Sequence, residues 1–350
     1  MKFDYVIGNP PYQDETVGDN ETYAPQIYYK FMDASYSVGK AVELIHPGRF
    51  LFNAGSTPKA WNEKLLNDPH FKILHYEPDT HKIFPSASIT GGIAISYRNE
   101  SKEYGSIGVF TVFPELNTIL HKVSTHSSFI SIEPMVITRT IYRLTDKMHQ
   151  DHPEAISQLS RGHAYDMSSN IFERLPQIFY NQSPIDGNKY IRMLGRIGTE
   201  RVYKYIRRDY VKEVVNTDKF KIVLARADGA AGTIGNPIPA RIIGQPIIEI
   251  PGTGTTESFL SIGSLSSQEE AIALLQYIKT KFVRTLVGIL KTTQDINPGK
   301  WKYVPAQDYT LSSDIDWSQP VSDIDRQLYR KYSLSDEEIA FIETHVKEME

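Results

Sequence analysis

The 350-residue chain contains no cysteine. Disulfides, thiolate nucleophiles and thiolate-rich zinc sites are excluded, and the composition fits a reducing cytoplasm. Long apolar runs are missing too. No window approaches the ~18 uninterrupted apolar residues that cross a bilayer, so no membrane partner is expected. The amino terminus, Met1-Lys2-Phe3-Asp4-Tyr5, has neither the apolar stretch of a signal peptide nor an Arg-rich transit pattern. There is no excess of positive charge. Lys plus Arg number 38 against 42 Asp plus Glu, a net charge of −4, so any phosphate-binding surface must be local. The ten histidines fall into no ligand spacing such as H-E-x-x-H, and no metal is expected. Internal repeats and low-complexity tracts are absent as well.

What is present is ordinary for a globular chain of two domains, or one large domain with an appendage: 40% apolar and 23% charged residues. Phe3 to Ile7 is a β-prone run that stops at Gly8-Asn9-Pro10-Pro11, where two prolines cannot continue a ladder. Ile27, Phe31, Ala34, Ser35 and Val38 recur at helical spacing and Gly39 ends them. Ala41 to Ile45 is a second strand, so strand, helix and strand predict a βαβ unit with a parallel sheet. A helix is predicted from Thr57 to Leu66, and strands over Phe71–Tyr76 and Gly92–Tyr97. From about Tyr104 the texture turns irregular, which places a domain boundary between Lys102 and Ser128. Residues 1–115 then form an α/β domain and residues 116–350 a mixed α+β domain. Ser267 and Glu270 open one long helix with the stripe Ile272, Leu275, Ile278, Phe282, Leu286 and Ile289. A shorter helix from Ser335-Asp336-Glu337 ends the chain.

Asn9-Pro10-Pro11-Tyr12 is the informative tetrapeptide. Ligands of open α/β sheets bind outside the carboxyl ends of the strands, which is where it falls. Proline supplies no N–H, so neighbouring carbonyls lack local partners. The Asn9 side-chain oxygen and the Pro10 carbonyl therefore form a pair of acceptors suited to the two hydrogens of an aromatic amine such as adenine N6. Tyr12 offers a flat face for a base, worth about 1–3 kcal/mol. An isolated Asn-Pro-Pro-Tyr is more often a stiff turn, with Asn9 in an Asx turn and Tyr12 covering the core. Here the preceding strand and the following amphipathic helix favour the functional reading.

The stretch Phe3-Asp4-Tyr5-Val6-Ile7-Gly8-Asn9-Pro10-Pro11-Tyr12-Gln13 resembles the catalytic motif of adenine-N6 DNA methyltransferases of type II restriction–modification systems. Val42-Glu43-Leu44-Ile45-His46-Pro47-Gly48-Arg49-Phe50-Leu51, Ile83-Phe84-Pro85 with Gly91-Gly92-Ile93-Ala94-Ile95, and Lys291 through Pro305 are similar to later parts of that family, in the same order. The resemblance implies a partial Rossmann-like methyltransferase sheet over 1–115 and a target-recognition domain over 116–350. It implies S-adenosylmethionine as methyl donor, double-stranded DNA as partner, and a base flipped from its stack at a cost of a few kcal/mol. Asn9, Pro10, Pro11 and Tyr12 would hold the adenine for direct methyl transfer, which needs no activated side-chain nucleophile. Phe84 would be the second stacking face, although a phenylalanine there is as readily an ordinary core residue.

Phosphate contacts are expected from the basic stretch Lys189–Lys212, in particular Arg192, Arg196, Arg201, Lys204, Arg207 and Arg208, and from Lys300 and Lys302. A solvated charged face explains the same stretch equally well. The family's glycine-rich cofactor turn is expected before the catalytic motif, and that motif begins nine residues from the start. Downstream, Gly229, Gly232 and Gly235 are followed directly by Pro237 and Pro239, which deny a helix N-terminus there. Phe259-Leu260-Ser261-Ile262-Gly263 lacks a second glycine. The cofactor site is therefore not located, and a second polypeptide carrying the cofactor half is one expectation. A non-catalytic DNA-recognition subunit and a truncated methylase are the others. Pro78-Asp79 with Glu100-Ser101-Lys102 matches the loose pattern of metal-dependent restriction nucleases, one that chance satisfies often. The acidic Asp14–Glu21 stretch reads as a surface loop.

Overall fold

The computed structural model describes residues 2–14, 24–52, 56–86, 89, 91–227, 232–291 and 294–349. The chain is mixed α/β with several sheets, and it divides into two compact units after Asn117.

In the first unit β1 (Phe3–Gly8) and β2 (Gly39–Pro47) pair in parallel through α1 (Tyr28–Val38). This is the βαβ arrangement that the spacing predicts. A side chain at Gly39 would come within 2.7 Å of Val42 and 2.8 Å of Val6, so helix and strand join closely because that position has none. The buried face of α1 is Tyr28 and Met32, while Phe31, Ala34 and Val38 are exposed. The predicted stripe is thus off by about one residue, or 100° of helix. Tyr28 decides the rotation, because its ring stacks on His46 and lies against Phe50.

α2 (Lys59–Leu66) follows Pro58, and β3 (Phe71–Glu77) and β4 (Ile93–Asn99) complete a sheet of order β1-β2-β4-β3. β4 runs antiparallel to both neighbours, so the sheet expected to be parallel is so only at β1–β2. The described part of the β3–β4 link contains only a 3₁₀ turn at Thr80–Lys82. Without a crossover helix the chain returns as a hairpin. Gly92, at φ 72°, closes that hairpin, and a Cβ there would meet the Glu77 carbonyl at 2.7 Å. One face of the sheet carries the core: Val42, Leu44, Phe71 and Ala94 against Tyr28, Met32, Phe50, Trp61 and Leu65. On β1 the alternate residues Phe3, Tyr5 and Ile7 are 68%, 65% and 75% exposed, and β1 is an edge strand.

α3 (Pro114–Ser124) spans the division between the units. The second unit then runs through β5 (Val136–Ile137), α4 (Asp146–Asp151), α5 (Ala155–Gln158) and α6 (Ile171–Arg174). β6 (Tyr190–Ile197) and β7 (Glu200–Arg207) form an antiparallel hairpin, which β10 (Thr253–Thr255) joins in parallel alongside β6. β8 (Phe220–Ala225), β9 (Ile247–Glu249) and β11 (Phe259–Leu265) build a second sheet, ordered β5-β11-β8-β9.

The predicted long helix is two helices, α7 (Gln268–Lys279) and α8 (Lys281–Leu290). Thr280 breaks it by capping α8, its Oγ1 accepting from Val283 N at 3.2 Å. The buried Asp325 carboxylate accepts from Lys281 N and Phe282 N at 3.0 and 2.9 Å. That cap arrives from α9 (Val321–Lys331), so local periodicity could not reveal it. Of the expected stripe Ile278, Phe282, Leu286 and Ile289 are buried, whereas Ile272 is exposed and Ala271 and Leu274 face the core in its place. α10 (Asp336–His345) starts where predicted, and a capping box of Ser335 and Glu338 opens it. The helix does not run to the end of the chain, since Val346 pairs in parallel with Ala240. Among the described residues no helix is long and apolar enough to cross a membrane.

Candidate functional site

Asn9 is the first residue beyond β1, and β2 ends at the same edge of the sheet with His46-Pro47. The tetrapeptide therefore stands where two parallel strands present their carboxyl ends. Asn9 and Pro11 are exposed, and Pro10 and Tyr12 half-buried. Among the described residues no donor reaches the Pro10 carbonyl. The loop is fastened from behind: Ile27 N donates to the Tyr12 carbonyl at 3.1 Å and Asp14 N to that of Pro25 at 2.9 Å. The Tyr12 ring packs on the core of the unit, and its buried hydroxyl lies beside the Asn9 amide. Burial raises the Tyr12 phenol pKa, and the neighbouring Asn9 amide pulls it the other way. Residues 15–21 of the acidic loop lie outside the described residues.

Phe84 is half-buried in the turn that follows β3, its N–H donating to Thr80 O at 2.8 Å. β3 runs in the same direction as β1, so the Phe84 and Tyr12 loops leave the same end of the sheet. Three strand spacings, about 14 Å, separate their origins. The structure brings the two to one edge, and no ring contact joins them among the described residues.

His46 supports this edge from beneath. It is fully buried, with Nδ1 3.1 Å from the Pro47 carbonyl and Nε2 2.7 Å from Ser96 Oγ. A carbonyl only accepts, so Nδ1 carries the proton and Nε2 accepts from the serine: the ring is neutral. Burial lowers its pKa to about 4, against the opposing pull of the Pro47 carbonyl. Unfolded histidine titrates near 6.5, so between those values the unfolded chain binds the extra proton. The stabilisation is complete above about pH 6.5 and is lost as pH falls toward 4. The unit is expected to lose about 2 kcal/mol between pH 7.5 and pH 5, and His46→Gln should flatten that dependence in urea titrations at the two values.

The basic candidates in the second unit do not form one free surface. By register Tyr190, Arg192, Arg196, Arg201, Tyr203, Tyr205 and Arg207 share one face of the β6–β7 hairpin. Arg192 is ion-paired at 2.8 Å with Glu249, a carboxylate only 1% exposed that also accepts from the Tyr203 hydroxyl. Arg207 pairs with Asp209 and Asp151, and Arg208 with Glu213 and Asp218. Those three charges are neutralised inside the chain. Arg196 and Arg201 lie over Phe259 at 5.5 and 5.7 Å, and Lys204 bonds Asn181. Lys300 donates to the Leu290 carbonyl at 2.5 Å, while Lys302 is exposed beside Tyr303. Thr292 and Thr293 of the family-like stretch lie outside the described residues, as does Gly229.

Residues 1–84 of the chain match the Eco57I restriction-modification methylase family. No curated protein matches. Among solved structures the chain is similar to the type IIG restriction endonuclease BpuSI, at 9% identity and a TM-score of 0.31, over 91% of this chain and 48% of that one. The chain spans about half the length of that enzyme, and a likeness at that TM-score carries no argument about this one.

Proposed function

We propose that the chain is the catalytic-loop and recognition portion of a DNA methyltransferase acting on adenine N6 in a restriction–modification system. The observation that carries this is the tetrapeptide. An exposed Asn9 and an unengaged Pro10 carbonyl stand at the carboxyl end of a parallel strand, inside the segment that matches a methylase family. Two fixed acceptors holding both hydrogens of an exocyclic amine turn its lone pair out of conjugation. Tyr12, with Phe84 from the facing loop, stacks the base. Arg196, Lys204, Lys300 and Lys302 are the phosphate contacts on this reading, because Arg192, Arg207 and Arg208 are held in ion pairs within the chain and Arg201 donates to the Gln245 carbonyl.

The methyl donor implied is S-adenosylmethionine. Among the described residues no strand-to-helix turn is glycine-rich, so these residues do not assemble a site for it. The reading places that site outside the described residues, on a further segment or on a second polypeptide. The open edge of β1, with Phe3, Tyr5 and Ile7 exposed in alternation, supports this, because an uncovered apolar edge strand is a template for further pairing. Calorimetric titration with S-adenosylmethionine, without and with duplex DNA, tests the reading. The chain alone is expected to bind DNA in a salt-sensitive way and to show no cofactor binding. Micromolar cofactor binding by the chain alone would make it a self-sufficient enzyme, and binding to neither would remove the DNA reading.

A further inference from the structure

The second unit holds a polar cavity of ≈ 210 Å³ where Thr138, Arg139, Arg226, Asp295 and Asn297 converge over Leu260. Rigid elements position it. Arg226 immediately follows β8, and Arg139 lies two residues beyond β5; both strands flank β11, which contributes the buried Leu260. The 295–297 segment is tied to the end of β8, since Ile296 N donates to the Arg226 carbonyl at 2.6 Å and Ala227 bridges Asp295. Arg226 and Asp295 are thereby presented side by side. Their charged atoms are 3.7 Å apart, beyond hydrogen-bond reach, and Arg139 meets Glu257 through one contact of 3.2 Å. A guanidinium has five N–H donors, so among the described residues both forks keep donors for a ligand. Asp295 and the Asn297 amide are exposed at the rim.

Donors and acceptors together distinguish the ligand. A phosphate offers only acceptors, and the carboxylates of Asp295 and Glu257 would repel it. A base-pair edge offers both kinds. On the DNA reading above, we infer that this cavity reads a G·C base pair in the major groove. Arg226 donates two hydrogen bonds to guanine O6 and N7, and Asp295 accepts from the cytosine amine of the same pair. Arg139 and Asn297 bound the cavity and serve the adjoining position.

Selection of the full chain on a randomised duplex pool, at two salt concentrations, tests this. Wild-type protein is expected to enrich sites with G·C at one position. Arg226→Ala should reduce discrimination there on the order of 10-fold or more, with the other positions and the salt slope kept. Arg226→Lys should restore it only in part, because an ammonium keeps donors for O6 and N7 but lacks the rigid planar fork that fits the two together. Asn297→Ala, which alters only an exposed amide, should relax the adjoining position and shows the effect without disturbing the Arg226–Asp295 pair. Uniform weakening with a salt slope reduced by about one and rescued by lysine would make Arg226 a phosphate contact and overturn the inference. Unchanged selection by all three variants would overturn it while leaving the DNA reading intact. Absence of sequence preference in the wild type would overturn it too, and absence of DNA binding would overturn both.

Discussion

Replacing Asn9 with alanine is expected to lower methylation of duplex DNA by at least about 100-fold and to leave thermal unfolding unchanged. The side chain is exposed and, among the described residues, neighbours Tyr12, so its loss opens no buried cavity there. On the function proposed above, what disappears is one of two acceptors that fix the amine. The remaining Pro10 carbonyl holds a single hydrogen, the other rotates freely, and the lone pair is no longer aimed. Tyr12→Ala should behave differently. It removes a stacking face worth about 1–3 kcal/mol and part of the loop's packing, so base capture weakens and the unit loses some stability. The measurement is transfer of labelled methyl groups from S-adenosylmethionine to DNA by the methylation-competent assembly, with melting temperatures alongside. Full activity in Asn9→Ala would sink the amine-holding role.

The edge that carries the tetrapeptide was legible because its determinants are local. Two prolines stop a strand whatever surrounds them, and Gly39 marks the join between α1 and β2 by its lack of a side chain. The βαβ unit followed from those two features. Features set by distant partners were not legible. The direction of β4 depends on the link after β3 carrying no crossover helix. The break at Thr280 depends on Asp325, 45 residues away, taking the first N–H groups of α8. The helix α9 that supplies this aspartate went unrecognised, although Asp323, Ile324 and Leu328 after Pro320 carry a helix signal. Charge was the least legible property of all. Arg192, Arg207 and Arg208 read as a basic patch in sequence, yet of their partners only Asp209 lies within the stretch, while Glu249, Asp151, Glu213 and Asp218 lie outside it or just at its border. A run of like charges states what a segment contains, while the fold decides which charges remain for a ligand. Arg139 and Arg226, isolated in sequence, were invisible until β5, β11 and β8 brought them to one cavity.

Support for the tetrapeptide comes from the aromatic cluster beneath the sheet edge, and Phe50→Ala is expected to cost the first unit about 3–5 kcal/mol. Phe50 is fully buried, with ring centroids 5.2 Å from Trp61, 5.4 Å from His46, and 6.4 Å from both Tyr28 and Phe71. These partners come from α2, β2, α1 and β3, so truncation withdraws contact from every layer at once. His46 and Tyr28 close over the gap only by giving up their parallel stack and the Ser96 hydrogen bond. The loss belongs to one unit, because the cluster contains no residue beyond Asn117. Hydrogen exchange reads it directly. Amides of β2 should lose protection by roughly two to four orders of magnitude, at about 1.4 kcal/mol for each tenfold change, while those of α7 and α8 keep theirs. An equal fall in both regions would mean that the two units unfold as one cooperative body. An unchanged β2 would mean that the cluster contributes little to holding the strand ends from which Asn9 and Pro47 project.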